Sequence, residues 1–93
     1  VVLINARAGE RELTGRELKQ LCSDSELSAL CIGYVNGVAD SVIYENIFCC
    51  PSSATHEKFT LVVKNYLSLY PGKLHIPAGI LVLEALADAF PCE

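Results

Sequence analysis

The chain has 93 residues, enough for one small core, and its seven basic and eleven acidic residues give a formal net charge of −4. With no Lys/Arg cluster beyond RAGER and TGREL, nucleic acid and anionic membrane surfaces are poor partners. No uninterrupted apolar run approaches the ~18 residues of a spanning helix, so membrane insertion is not expected.

Residues 1–13 read as an N-terminal arm or signal-peptide remnant. The stretch VVLINARA ends in Ala6-Arg7-Ala8, which fits the small-x-small pattern ahead of a signal-peptidase cut. Residues 14–93 read as a single helical domain. Thr14-Gly15-Arg16-Glu17 is a T-x-x-E capping box, and it starts a short helix with Leu18, Leu21 and Cys22 on one face. Ser23 and Glu26 form a second such box, predicting a longer helix to about Tyr44 with Leu27, Leu30, Cys31, Tyr34, Val35, Val38 and Val42 inward. Within it, Gly33 and Gly37 share a face with Ala29. Each glycine costs a helix about 1 kcal/mol relative to alanine. A close-packed neighbour is therefore expected over the strip, preferably a helix of the same chain, otherwise a second subunit in a homodimer.

The stretch 45–55, ENIFCCPSSAT, is irregular, and its Pro51, Ser52, Ser53 and Thr55 mark a loop ending at a helix N-cap. Phe59, Val62, Val63, Tyr66 and Tyr70 trace a third helical face, stopped by Pro71-Gly72. Pro77 is placed at the first turn of a fourth helix, apolar on most sides (Ile80, Leu81, Leu83, Leu86, Ala87, Phe90), which ends at Pro91. The expected fold class is all-α: a small bundle of about four helices, joined by short loops and closed by two disulfides.

Five cysteines, with neither Met nor Trp, exceed ordinary cytosolic usage and point to an oxidised, exported domain. Cys22 and Cys31 lie nine apart across SDSEL, where a bridge would join the end of one helix to the start of the next. Cys92 then has Cys49 or Cys50 as its partner. Either bridge would close more than forty residues, worth roughly 4 kcal/mol in the chain-entropy model. Of the vicinal pair, one cysteine in a bridge and one buried as a small apolar residue is the preferred reading over a redox switch.

Chemistry is thinly represented. His56 and His75 are the sole histidines, and no cysteine opens a helix in an electropositive setting, so thiol catalysis is not expected. C-x₂-C pairs are absent and adjacent cysteines make poor tetrahedral ligands, so neither a metal nor another cofactor is expected. Asp40 stands alone, and Glu84 with Asp88 reads as a solvated i, i+4 face of the fourth helix. The residues alone indicate a small exported helical binding module, not an enzyme.

The order of features is more specific. LKQLCS, then CIGYVNGVADSV, then FC-x-P, then YLSLYPGKLHIPAGILVLEALADAFPC resembles the Rap/Tai family of type VI secretion immunity proteins over residues 14 to 92. Its strongest elements are C-x-G-Y-x-x-G-x-x-D from Cys31 to Asp40 and L-x-x-A-F-P-C ending at Cys92. The resemblance implies a periplasmic protein that shields its producer from an injected toxin, commonly a peptidoglycan amidase with a cysteine–histidine site. It also implies steric inhibition by a loop in the substrate groove, and a homodimer. The C-x-P pattern assigns Cys49 as the partner of Cys92 and leaves Cys50 as the extra cysteine. The resemblance points to the loop YPGKLHI, with Tyr70, Lys73 and His75, as the inhibitory element. Loop length and polar content point instead to YENIFCCPSSATHE, with Tyr44, Asn46, Ser52, Ser53 and His56. Lys73 or His75 would meet acidic groups of the partner, with Tyr44 or Tyr70 as anchors. The rival classes are a disulfide-bonded periplasmic chaperone of the acid-stress type and a dimeric structural component of the envelope.

Overall fold

The computed structural model describes residues 13–92; the expectation for an arm or signal remnant at 1–13 lies outside them except for Leu13. Four helices follow in order: α1 (Gly15–Ser23), α2 (Ser28–Ser41), α3 (His56–Leu69) and α4 (Ala78–Ala89), with 3-10 turns at Ser25–Leu27 and Pro71–Lys73. Among the described residues there is no strand, and Thr14 with Pro77 forms an isolated antiparallel bridge. The all-α, four-helix expectation therefore stands. So do both disulfides: Cys22–Cys31 and Cys49–Cys92, each with its Cα atoms 4.9 Å apart.

The Thr14 capping box is formed as read. The Glu17 amide donates to Thr14 Oγ1 at 3.2 Å, and the Thr14 amide donates to Glu17 Oε1 at 2.9 Å. The second box is not formed. Ser23 Oγ turns back to donate to the Lys19 carbonyl at 2.8 Å, so the side chain closes α1 and does not open α2. Asp24 takes over as the cap, accepting the Glu26 amide at 2.8 Å ahead of the 3-10 turn. The Cys22–Cys31 bond makes the chain reverse within this stretch, which a continuous helix from Ser23 would prevent. Helix α2 consequently begins at Ser28, and Leu27 and Leu30, expected inward, are exposed, Leu30 by 58%. The helix also stops at Ser41, short of Tyr44. The amides of Val42 and Ile43 bond only three residues back, and Asn46 at φ 55° takes the left-handed conformation that ends the turn.

At the next boundary Thr55 caps α3 as expected, accepting the Lys58 amide at 3.1 Å. Pro77 is the N-cap of α4 and not a residue of its first turn. The Ala78 amide donates to the Leu13 carbonyl at 2.7 Å, which satisfies one of the free N–H groups of that helix end.

The core is built on α4. Ala78, Leu81, Val82, Ala85 and Leu86 are buried, and Leu18, Val35, Val63 and Leu67 from the other three helices pack into the same cluster. Gly15 marks the tightest contact. A Cβ there would run into Leu81 Cδ1 and sit 3.2 Å from Leu74 Cα. Without one, the amides of Gly15 and Arg16 donate to the carbonyls of Ile76 and Leu74 at 2.9 and 3.0 Å. The 70–77 connection is thereby tied to the start of α1.

Candidate functional site

The two loops singled out in the sequence lie at opposite ends of α3. With 14 residues and a rise of 1.5 Å each, that helix separates them by about 21 Å. Tyr44, Asn46, Ser52, Ser53 and His56 thus form one group and Tyr70, Lys73 and His75 another; the structure does not bring the two together.

The first group sits on a segment with a fixed middle and free flanks. Phe48 is 4% exposed and meets the Phe59 ring edge-on, with centroids 5.8 Å apart and planes at 87°. Phe59 in turn packs against Phe90 at 5.6 Å. Next to Phe48, the Cys49 amide donates to the Phe90 carbonyl at 2.8 Å, and the Cys49–Cys92 bond closes the same point. Three aromatic rings, one hydrogen bond and one covalent bond therefore hold the segment by its centre. On the upstream flank Ile43 and Ile47 are exposed, and Tyr44 is 93% exposed. Asn46 is exposed between them in the left-handed conformation. Downstream, Cys50, Pro51, Ser52 and Ser53 are exposed, with a turn closed by the Ala54 amide on the Pro51 carbonyl at 3.0 Å. His56 is exposed at the first position of α3. Cys50 is a free and exposed thiol. The expectation that it is buried as a small apolar residue fails: Phe48 takes the inward position of this stretch, and Cys49, Cys50 and Pro51 after it all lie on the solvent side.

The second group is arranged differently. Lys73 Nζ donates to Tyr66 Oη at 3.1 Å and to Glu84 Oε1 at 3.3 Å, and the Tyr66 hydroxyl donates to the same Glu84 oxygen at 3.0 Å. The ammonium also lies 5.5 and 5.1 Å from the ring centroids of Tyr66 and Tyr70, which pack at 4.6 Å with their planes tilted by 50°. Burial raises the Tyr66 phenol above its ordinary pKa, and the hydrogen bond it donates to Glu84 adds to this against the opposing one it accepts from Lys73. The hydrogen bond to Tyr66, then that to Glu84, raises Lys73 above the ordinary lysine value. Lys73, expected to be free for acidic groups of a partner, is thus already paired within the chain, and Glu84, read as solvated, is its partner. No spacing rule reveals this pair: seven residues separate Tyr66 from Lys73 and eleven separate Lys73 from Glu84, so only the folded bundle brings them together. His75 is exposed beside them.

Ala29, Gly33 and Gly37 are all exposed on the outer side of α2. Among the described residues no atom comes within 4 Å of a Cβ built at Gly33 or Gly37. Among the described residues, then, no helix covers the strip: the inward side of α2 is taken by Cys31, Val35 and Ala39, roughly opposite the glycines on a 3.6-residue helix. Grooves flank the bundle. One of about 470 Å³, lined by Arg16, Lys19, Gln20, Ser23, Asp24 and Leu74, runs along α1. Another, of about 310 Å³, is lined by Ile32, Glu57, Thr60, Leu61 and Lys64 between α2 and α3. Among the described residues no three His, Cys, Asp or Glu side chains converge as metal ligands, and no helix is long and apolar enough to cross a membrane.

What the molecule offers is a rigid support with an exposed, apolar-tipped loop, an arrangement suited to binding a macromolecule. No curated protein matches the chain. The family model for Rap1a immunity proteins matches residues 14–92, the same span that carries the helices, both disulfides and both loops, and the chain therefore belongs to the Rap1a immunity protein family.

Proposed function

We propose that this protein works in the periplasm, where it neutralises a type VI secretion effector, a peptidoglycan amidase, by seating the 42–55 loop in the enzyme's substrate groove. The observation that carries this reading is Tyr44, 93% exposed only four residues before the buried Phe48. An apolar, hydrogen-bonding side chain is thus held in solvent on a segment whose centre is pinned by Phe48 and by the Cys49–Cys92 bond. Such a loop loses little conformational entropy on binding, and tyrosine gives large rigid contact area. Two disulfides suit an oxidising compartment. Inhibition is steric, with Ile43, Asn46, Ile47, Ser52, Ser53 and His56 around the anchor. The 70–77 turn, with Tyr70 and His75, ranks second as a contact because the charge of Lys73 is already matched by Glu84. The open strip at Ala29, Gly33 and Gly37 supports a homodimer.

The test is to direct the cognate effector to the periplasm with and without this protein. Protection of the cells, together with loss of amidase activity on purified peptidoglycan when the protein is added, is the expected outcome. Unaltered lysis would overturn the reading. Suppression of client aggregation at low pH in place of protection would favour the chaperone class.

A further inference from the structure

The groove between α2 and α3 carries a charge pattern that the fold itself does not use. Glu57, Leu61 and Lys64 line it from α3, and Ile32 lines it from α2, with Thr60 between them. Leu61 is 53% and Ile32 40% exposed. Glu57 and Lys64 are seven residues apart, about 10.5 Å along the helix, beyond the three- or four-residue spacing at which side chains on one helix meet. Among the described residues neither side chain has an ion-pair or hydrogen-bond partner.

An acid and a base at the two ends of a short apolar stripe form a self-complementary surface. A two-fold axis passing between Thr60 and Leu61 reverses the stripe, so that each acid faces the other copy's base while the leucines meet at the centre. This is the isologous relation of a symmetric dimer, in which residue i contacts residue j and j contacts i. A purely acidic or purely basic partner would be attracted by one end of the stripe and repelled by the other. On the α2 side, Ala29 lies three residues before Ile32 and Gly33 follows it, and no atom of the described residues lies within 4 Å of a Cβ at Gly33, so α2 itself has little bulk there to keep a second copy away. An interface of ordinary size needs about 800 Å² per partner, which the groove and this low strip would supply jointly.

We infer that the groove is the seat of a second copy of this chain, α3 packed antiparallel on α3, with Glu57 of each copy paired to Lys64 of the other. The inference rests on the homodimer reading and names its geometry. Sedimentation equilibrium of the full chain tests it. Lys64→Glu alone and Glu57→Lys alone should each weaken the dimer at least 10-fold, and Glu57→Lys combined with Lys64→Glu should restore it to within about threefold of the wild type. Circular dichroism of each variant checks that the helices persist. A wild-type dimer indifferent to either reversal would overturn the groove assignment while leaving the homodimer standing, and a wild-type monomer at high concentration would overturn both. Should Lys64→Glu abolish protection against the effector while the dimer survives, the groove belongs to the effector and the inference falls.

Discussion

The Cys49 amide donates to the Phe90 carbonyl at 2.8 Å, directly beside the bond that joins Cys49 to Cys92 across 43 residues. The loop after α2 is thereby fastened to the residues after α4 both covalently and through the backbone, so the geometry of the 42–55 segment depends on Phe90 and Cys92.

Loss of this bridge should matter more than loss of the other. In the chain-entropy model a closed loop of this length is worth about 4 kcal/mol, against about 2.5 kcal/mol for one as short as Cys22–Cys31. Cys92→Ala should therefore lower unfolding stability more than Cys22→Ala with Cys31→Ala, as read by urea denaturation. Cys92→Ala is the cleaner variant, because in Cys49→Ser the exposed Cys50 thiol stands one residue away and can take over the bond. Equal losses for the two bridges would contradict the argument.

Glycines in this chain should respond to alanine with opposite signs. At Gly15 the new methyl group meets Leu81 and the Leu74 backbone, so Gly15→Ala should destabilise by about 1–3 kcal/mol through overpacking. At Gly33 and Gly37 it meets nothing within 4 Å among the described residues, and each substitution should stabilise the monomer by about 0.5–1 kcal/mol. Thermal unfolding at low protein concentration checks both. A stabilising Gly15→Ala would mean that the α1–α4 contact is looser than described.

The Lys73–Tyr66–Glu84 cluster predicts a pH dependence on the alkaline side. Both Lys73 and Tyr66 hold their protons more tightly in the folded chain than at their ordinary values of 10.5 and 10.0. Their contribution is therefore complete below about pH 10 and is lost as pH rises through the elevated folded values. The Lys73 side chain is 42% exposed, so solvent screens the interaction. Tyr66→Phe removes one of the titrating groups and the acceptor for Lys73. Its stability should fall less steeply than that of the wild type between about pH 9 and 11, measured as the urea midpoint. Parallel slopes would contradict this.

The local signals in the sequence were sufficient where a single side chain decides the outcome. Thr14 with Glu17, Thr55 before α3, and the Cys22–Cys31 spacing each led to the structure observed. Reading failed where two local devices competed: Ser23 could cap the next helix or close the previous one, and the bridge to Cys31 decided it. The inward face of α2 was only partly legible, since Leu30 fits the period of the core residues yet lies well out in solvent. For the site, the exposure of Tyr44 and the pairing of Lys73 with Glu84 depend on which residues the tertiary fold has already taken inward. Periodicity carries no information about that.

Whether the 42–55 loop fills the effector's groove is decided by the inhibition constant of Tyr44→Ala against the cognate effector digesting peptidoglycan, with His75→Ala measured alongside. Truncation of a central tyrosine anchor costs about 2 kcal/mol or more, roughly 30-fold. The account predicts inhibition at least 10-fold weaker for Tyr44→Ala with an unchanged helical spectrum, and a smaller loss for His75→Ala. Full inhibition by Tyr44→Ala, or a larger loss at His75, would contradict it.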